Sequence, residues 1–223
     1  MKYPGLQNQP HLDESPGVVA DRIRRFLRAQ FGQPSGVWGH LAGRIMARTP
    51  SNLERIRWTL ALLDPRPADR ILEIGFGPGI AIERLSKVVP DGLIVGIDHS
   101  EVMVRQASRR NAVAIGEGRV ALQLGSATML PTFDEPFDRI FTINSIHFWP
   151  RPVECLKTLH SMLKPGGLIA VTIQPRSRTA TDETTKVIGD EIAADLAQAG
   201  FSRCRVELRK MAPVAVACAL GVK

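Results

Sequence analysis

Two hydrophobic patterns alternate along the chain from residue 70 onward. Short runs of consecutive apolar residues are separated by stretches in which apolar residues recur every three or four positions. The runs are typical of strands buried on both faces, and the longer spacing is typical of helices that bury one side. The runs predict strands at 70–75, 93–98, 120–125, 138–144 and 168–174. The helical spacing predicts helices at about 79–89, 101–115, 152–163 and 182–199.

The last part of the chain departs from this alternation. Two further apolar segments, 203–210 and 213–222, are separated by only a few residues. So short a connection allows only an antiparallel hairpin. The pattern therefore predicts an α/β fold with a doubly wound, seven-stranded sheet that is mostly parallel, has an antiparallel last strand and is preceded by N-terminal helices.

The first third of the chain has a different character. Residues 1–17 are rich in Pro, Gly, Gln and Asn, which predicts a flexible tail. Residues 18–64 carry helical patterns and are interpreted as a helical cap packed on the core. Within them, Ser51 and Glu54 form a capping box that opens a helix. Residues 65–223 are expected to form the ligand-binding domain.

The segment 21–31 is an amphipathic helix with four arginines in a chain of net charge +7. We favour a helix docked on the domain with its arginines in water, and a helix at a membrane surface is the alternative. The chain has no apolar run of the roughly 20 residues that span a bilayer and no apolar signal region near its start. Its three scattered cysteines have no metal-ligand spacing, so we expect a cytoplasmic protein without a metal.

The stretch 70–85 carries the clearest chemistry. A buried strand runs into alternating glycines, Gly75, Gly77 and Gly79, and a helix follows. Such glycines allow positive φ and let a ligand lie on the main chain at the start of the helix. A dinucleotide-binding fingerprint would need a glycine where Ile80 stands, which disfavours an NAD-dependent reductase. Asp98 ends the second strand, where a carboxylate can receive two ribose hydroxyls.

Over about residues 50–222 the chain resembles the class I S-adenosylmethionine-dependent methyltransferases, in particular the ubiquinone/menaquinone-type and other small-molecule enzymes. The matching stretches are LEIGFGPG (72–79), GIDHSEVMVRQA (96–107), LGSATMLP (124–131), FDRIFTINSIHFW (137–149) and LKPGGLIAVT (163–172). The resemblance implies S-adenosylmethionine as cofactor. It also implies cofactor-binding residues along these stretches: Glu73, Gly75, Phe76, Gly77 and Gly79 at the methionine end, Asp98 at the ribose, His99 and Met103 flanking the adenine, Ser126 and Ala127 at its edge, and Asn144 near the transferring methyl.

One position departs from the family pattern. The family often has Gly-Asp-Ala after the third strand, where the chain has Gly125-Ser126-Ala127. A serine hydroxyl can also accept a hydrogen bond from the adenine amino group, so we expect cofactor binding to survive.

The acceptor side is less specific. His147 follows the fourth strand and is the candidate general base, or else a histidine that shapes the pocket through backbone bonds. With Trp38, His40 and Trp149 it forms the expected substrate side. The expected reaction is in-line methyl transfer to a small, apolar or aromatic acceptor, by a monomer or homodimer that binds no nucleic acid. The alternatives are a lipid or quinone methyltransferase at a membrane surface and a non-catalytic, cofactor-binding regulatory module.

Overall fold

The structure, a computed structural model, describes residues 50–177 and 179–223. Within these ranges, seven strands form a single sheet in the order β3-β2-β1-β4-β5-β7-β6. The strands are β1 Arg70–Ile74, β2 Leu93–Asp98, β3 Val120–Leu124, β4 Phe137–Ile143, β5 Leu163–Ile173, β6 Ser202–Arg209 and β7 Val216–Val222. The helices are α1 Pro50–Leu63, α2 Ile80–Leu85, α3 Glu101–Arg110, α4 Ala112–Gly116, α5 Pro152–Met162 and α6 Asp182–Gln198, and a short 3-10 helix spans Ile146–Phe148.

The sheet has the predicted mixture of strand directions. β1 to β5 pair in parallel with their neighbours. β7 is antiparallel to both β5 and β6. The prediction of a doubly wound sheet with an antiparallel last strand is confirmed.

The direction of winding in the sheet changes between β1 and β4. The chain winds from β1 toward β3 on one side and from β4 toward β5 on the other, so the winding reverses between β1 and β4. In open α/β sheets, ligands bind outside the carboxyl ends of the strands at this reversal. The glycine turn after β1 and the segment after β4 both lie at this point.

Buried apolar residues hold the strands that end at this edge. Ile71 and Leu72 of β1 are fully buried. Helix α1 packs against β4 and β5, and its Ile56, Leu60 and Leu63 join the same apolar cluster as Ile71. Of the predicted cap 18–64, only α1 is described, and the tail 1–17 and the basic helix 21–31 lie outside the described residues.

Three predicted boundaries were wrong for physical reasons. The helix predicted at 101–115 breaks at Asn111, whose side-chain amide donates to the carbonyls of Ala107 and Gly79 at 2.9 and 3.2 Å. Strand β5 begins at Leu163, before the Lys164-Pro-Gly-Gly stretch, because Leu163 already pairs with Phe137 before a register shift. The third is the predicted N-cap at Ser51, which lies within α1 and so does not precede the helix.

Two further differences are shorter elements. The helix predicted at 79–89 is reduced to the six residues of α2. The 3-10 helix Ile146–Phe148 was not predicted, because three residues carry too little periodicity to reveal it.

Candidate functional site

The turn after β1 has the backbone conformation that its glycines predict. The φ angles of Gly75, Gly77 and Gly79 are 75°, 53° and 75°, in the left-handed region that other residues rarely adopt. The backbone N–H of Gly75 donates to the carbonyl of Ile97 at 2.7 Å, and that of Gly79 donates to the carbonyl of Phe76 at 3.1 Å. The turn is therefore tied to the end of β2 and closed on itself.

The three glycines are needed for different reasons. A Cβ on Gly75 would lie 2.5 Å from Cβ of Ser145, and a Cβ on Gly79 would lie 2.6 Å from Cβ of Ala107. These two positions have no room for a side chain because neighbouring elements pack on them. A Cβ on Gly77 would meet no heavy atom of the described residues within 4 Å. The turn is thus open at Gly77, where a ligand can approach the backbone.

The carboxylate of Asp98 joins the turn to the next helix. The N–H of Gly77 donates to Oδ2 of Asp98 at 2.8 Å, and the N–H of Ser100 donates to Oδ1 at 2.9 Å. Ser100 is also the N-cap of α3 and accepts from the N–H of Met103. Each oxygen of Asp98 keeps further acceptor capacity, so the carboxylate is fixed in place and can still receive hydroxyl groups.

Glu73 is a second carboxyl group beside Asp98. It is 2% exposed, and burial together with the negative charge of Asp98 raises its pKa to about 8. Its Oε2 is buried and has no hydrogen-bond partner among the described residues. A buried carboxyl group in this state favours a cationic ligand, which would replace the missing partner and stabilise the charged form.

The other residues predicted to hold the cofactor follow β1, β2 and β3. Phe76 is buried in the core beside Gly96 of β2, so a role in binding falls to its backbone. Met103 packs partly against the same core. His99 is exposed, with Nδ1 3.8 Å from Oδ1 of Asp98. These residues therefore surround the carboxyl end of β2.

The segment after β3 is held beside β2. The N–H of Gly125 donates to the carbonyl of Asp98 at 2.9 Å. The hydroxyl of Ser126 is 2.9 Å from that of Thr128 and accepts from the N–H of Thr128 at 3.2 Å. Ala127, between them, is half-buried. The Ser126 hydroxyl thus serves a local turn at the position where the family often has an aspartate.

The residue after β4, Asn144, joins two strands. It has a φ of 55°, its N–H donates to the carbonyl of Thr172 at 2.8 Å, and its Oδ1 accepts from the N–H of Gln174 at 2.8 Å. Its Nδ2 is buried and has no partner among the described residues. Asn144 therefore presents a free amide donor at the carboxyl ends of β4 and β5.

His147 lies in the 3-10 helix after β4. Burial, and after it the charge of Arg176, lowers its pKa to about 4. The imidazole is therefore neutral at physiological pH and a weak proton acceptor. Its ring lies 4.0 Å, centroid to centroid, from that of Phe148. Phe148 is 43% exposed and Trp149 only 5%, so the exposed aromatic surface at this edge comes from Phe148.

Two site residues were missed by sequence reasoning. Arg55 of α1 is buried and donates to the side chains of Gln174 and Asn52. Gln174 in turn donates to the carbonyls of Ala212 and Val214 at 3.2 and 2.8 Å. No sequence signal marks Arg55, because an arginine in an amphipathic helix is normally assigned to the solvent face.

Some predictions cannot be placed. Trp38 and His40 lie outside the described residues.

Across 50–177 and 179–223, no group of three or more His, Cys, Asp or Glu is arranged to hold a metal ion. In the same part of the chain, no helix has the length and apolar character needed to cross a membrane.

Known proteins match the chain at both the sequence and the structural level. The family described as "Methyltransferase domain" matches residues 71–167. Uncharacterized methyltransferase YdaC of Bacillus subtilis (strain 168) is 34% identical over 183 residues, which cover 82% of this chain and 98% of YdaC. Demethylmenaquinone methyltransferase of Symbiobacterium thermophilum is 35% identical over 106 residues, 46% of this chain and 41% of that protein.

A solved structure also matches the chain. A SAM dependent methyltransferase from Aquifex aeolicus superimposes with a TM-score of 0.66 at 22% identity. The match covers 82% of this chain and 97% of the other. At this identity the superposition establishes the shared fold.

Proposed function

The chain belongs to the class I S-adenosylmethionine-dependent methyltransferases, and we propose on that basis that its acceptor is a small, largely apolar or aromatic molecule methylated by in-line displacement. The chain is an enzyme, and its cofactor is S-adenosylmethionine. The cofactor supplies a methyl group already activated on a sulfonium sulfur. The protein must bind the cofactor, orient the acceptor and exclude water.

The residues present fit the cofactor. The open backbone at Gly77 gives the methionine end a surface to lie on, and the buried Oε2 of Glu73 favours the positive charge of that end. The fixed carboxylate of Asp98 can receive the ribose hydroxyls, and the free Nδ2 of Asn144 can donate to the cofactor or the acceptor. His99, Met103, Ser126 and Ala127 stay candidates for the adenine.

A single observation supports the placement of the cofactor at the glycine turn. Of the three glycines in the turn, Gly77 alone would carry a Cβ into open space, and its N–H is held by the carboxylate of Asp98. The positive φ of Gly77 favours a glycine, and the described residues also leave the space over its backbone open, so a ligand can approach it closely.

The acceptor is expected at the carboxyl ends of β4 and β5. Phe148 supplies exposed aromatic surface there, and the similarity to a demethylmenaquinone methyltransferase supports a small-molecule acceptor. His147 stays the candidate for proton transfer. A base whose pKa is about 4 removes a proton efficiently only from an acidic group, because the ease of proton transfer follows the difference in pKa.

The first test is cofactor binding by a Gly77→Val variant. The valine side chain would occupy the ligand's surface, so the affinity for S-adenosylhomocysteine, measured by calorimetry, should fall at least about tenfold. Gly118→Val is the matched control, because Gly118 also has a positive φ, 74°, and open space around its Cβ position but lies before β3. Equal affinities of the two variants would refute the site.

The second step of the test is turnover. The wild-type protein, incubated with a metabolite extract and cofactor labelled on the methyl group, should produce a labelled small molecule, and the Gly77→Val variant should not. Label appearing in RNA, lipid or protein instead would contradict the proposed acceptor class.

A further inference from the structure

Arg55 is a buried cation without a counter-ion among the described residues. It is 3% exposed, and its guanidinium donates to Oε1 of Gln174 and Oδ1 of Asn52, both neutral groups. Its Nε is buried and has no hydrogen-bond partner in the described part of the chain. These two bonds use two of the five N–H donors of a guanidinium, so three donors make no hydrogen bond to the described residues.

Among the described residues, the charge that acts on Arg55 is positive. Burial, and after it the charge of Arg176, lowers the pKa of Arg55 to about 10, so the side chain is still charged at neutral pH. The charge of Arg176 also acts on His147, which brings the three side chains within electrostatic reach of one another. Glu54, the neighbour of Arg55 in α1, contacts Arg209 at 3.0 Å instead.

This cluster is connected to the predicted site of methyl transfer. The side-chain oxygen of Gln174 accepts a hydrogen bond from Arg55, and the backbone N–H of Gln174 donates to Oδ1 of Asn144. The next residue, Ser145, packs on Gly75 of the glycine turn. Arg55 therefore lies on the acceptor side of the sheet edge, one side chain removed from the residue expected near the methyl group.

A buried charge without an opposite charge is costly. Removing an ion from water costs several kcal/mol even after relaxation, and neutral hydrogen-bond partners offset only part of this. An anionic ligand would supply the missing charge, and a guanidinium matches the geometry of carboxylates. Such an arrangement is expected of a guanidinium whose anionic partner is part of the substrate.

We propose that the acceptor carries a carboxylate or another anionic oxygen group, and that Arg55 binds it beside Asn144, with Arg176 contributing positive potential. This inference rests on the proposed function and names its substrate class. The competing role for Arg55 is purely structural, as a tie between α1 and the end of β5.

Matched ligands test the charge preference. The wild-type protein, saturated with S-adenosylhomocysteine, is titrated by calorimetry with benzoate and benzamide, and with phenylacetate and phenylacetamide. Each carboxylate should bind at least about tenfold more tightly than its amide. Equal affinities within both pairs, or no binding of any of the four, would overturn the proposal.

The Asn52→Asp variant separates the two roles of Arg55. It keeps an oxygen acceptor for the guanidinium but supplies a fixed negative charge, and an acid in the first turn of a helix is favourable. The carboxylate preference should disappear while affinity for S-adenosylhomocysteine stays within about twofold. Arg57→Gln is the control, because Arg57 is exposed on the same helix and its loss changes the net charge equally.

The outcomes distinguish the two proposals. If a purely structural role is correct, Asn52→Asp will keep the wild-type preference between carboxylate and amide. If wild-type protein fails to bind S-adenosylhomocysteine, the proposed function fails first. If it binds this compound but shows no preference for anions, only the inference about Arg55 is wrong. Arg55→Gln, which removes the charge and keeps a donor, should also abolish the preference.

Discussion

Glu73 and Asp98 show how two acidic residues at adjacent strand ends acquire different properties. Two backbone N–H groups donate to Asp98, whereas Oε2 of Glu73 has no donor among the described residues. Burial and the charge of Asp98 therefore raise the pKa of Glu73 to about 8. Glu73 is thus suited to a cationic ligand, but in the cofactor-free protein its ionised form destabilises the fold.

This difference predicts a pH-dependent stability. The pKa of Glu73 in the unfolded chain is about 4.3, so between that value and about 8 the folded state holds a proton that the unfolded state has lost. The contribution of Glu73 to the free energy of unfolding is therefore complete below its unfolded pKa, and it is lost as pH rises toward its folded pKa. Glu73→Gln should therefore raise the Tm of the cofactor-free protein relative to wild type, by an amount that grows by up to about 2–5 °C per pH unit.

Thermal unfolding followed by circular dichroism between pH 5 and 8.5 measures this effect. Glu101→Gln, at an exposed position paired with Arg105 at 3.2 Å, is the control and should show no such trend. A constant difference between Glu73→Gln and wild type across the range would contradict the assignment of the raised pKa to Glu73.

At the scale of elements, the break between α3 and α4 serves the glycine turn. The side-chain amide of Asn111 donates to the carbonyls of Gly79 and Ala107. Through the first bond, the helix after β2 holds the last glycine of the turn after β1.

Asn111→Ala should lower both stability and cofactor affinity. The variant removes the side-chain hydrogen bonds to the carbonyls of Gly79 and Ala107, each worth about 0.5–1.5 kcal/mol. Both carbonyls keep a backbone donor, but Gly79 loses its tie to the helix after β2. Thr181→Ala is the comparison, because Thr181 makes the capping box of α6 and its loss costs about 1 kcal/mol. Urea unfolding should show destabilisation in both variants, while calorimetry should show weaker binding of S-adenosylhomocysteine in Asn111→Ala alone. Unchanged binding in Asn111→Ala would mean that the turn is held without it.

At the scale of the molecule, the site joins segments far apart in sequence. Arg55, the glycine turn 75–79, Asp98, Asn144 and Gln174 come from five different elements or the turns that follow them. A ligand that binds all of them only in the folded state stabilises the fold by mass action. At about 100 times its Kd the gain is ~2.7 kcal/mol.

For a chain of this size that gain should raise the Tm by about 5–10 °C. Thermal unfolding with S-adenosylhomocysteine should show this shift, whereas NADH at the same concentration should give none, because Ile80 replaces the third glycine of the dinucleotide fingerprint. A shift with NADH and none with S-adenosylhomocysteine would reverse the assignment of the cofactor.

Local sequence was sufficient for much of the fold. The strands β1, β2 and β4 and the glycine turn were predicted within one residue or two, because hydrophobic period and turn residues act over short distances. The same holds for the approximate place of Asp98 at the end of β2. The resemblance that implied the cofactor rested on the order of five short stretches along the chain. Each stretch can be recognised without knowing where the others lie in space.

The tertiary structure alone decided which of these residues have unusual properties. Arg55 and Gln174 are 119 positions apart, and Gly75 needs to be a glycine because of Ser145, so neither relation has a local signature. The raised pKa of Glu73 and the open space at Gly77 depend in the same way on what packs around them. Sequence by itself predicted most of the elements, since these depend on neighbouring residues, and its resemblance to a family implied the cofactor. The folded chain determined burial and charge at the acceptor side, since both depend on residues distant along the chain.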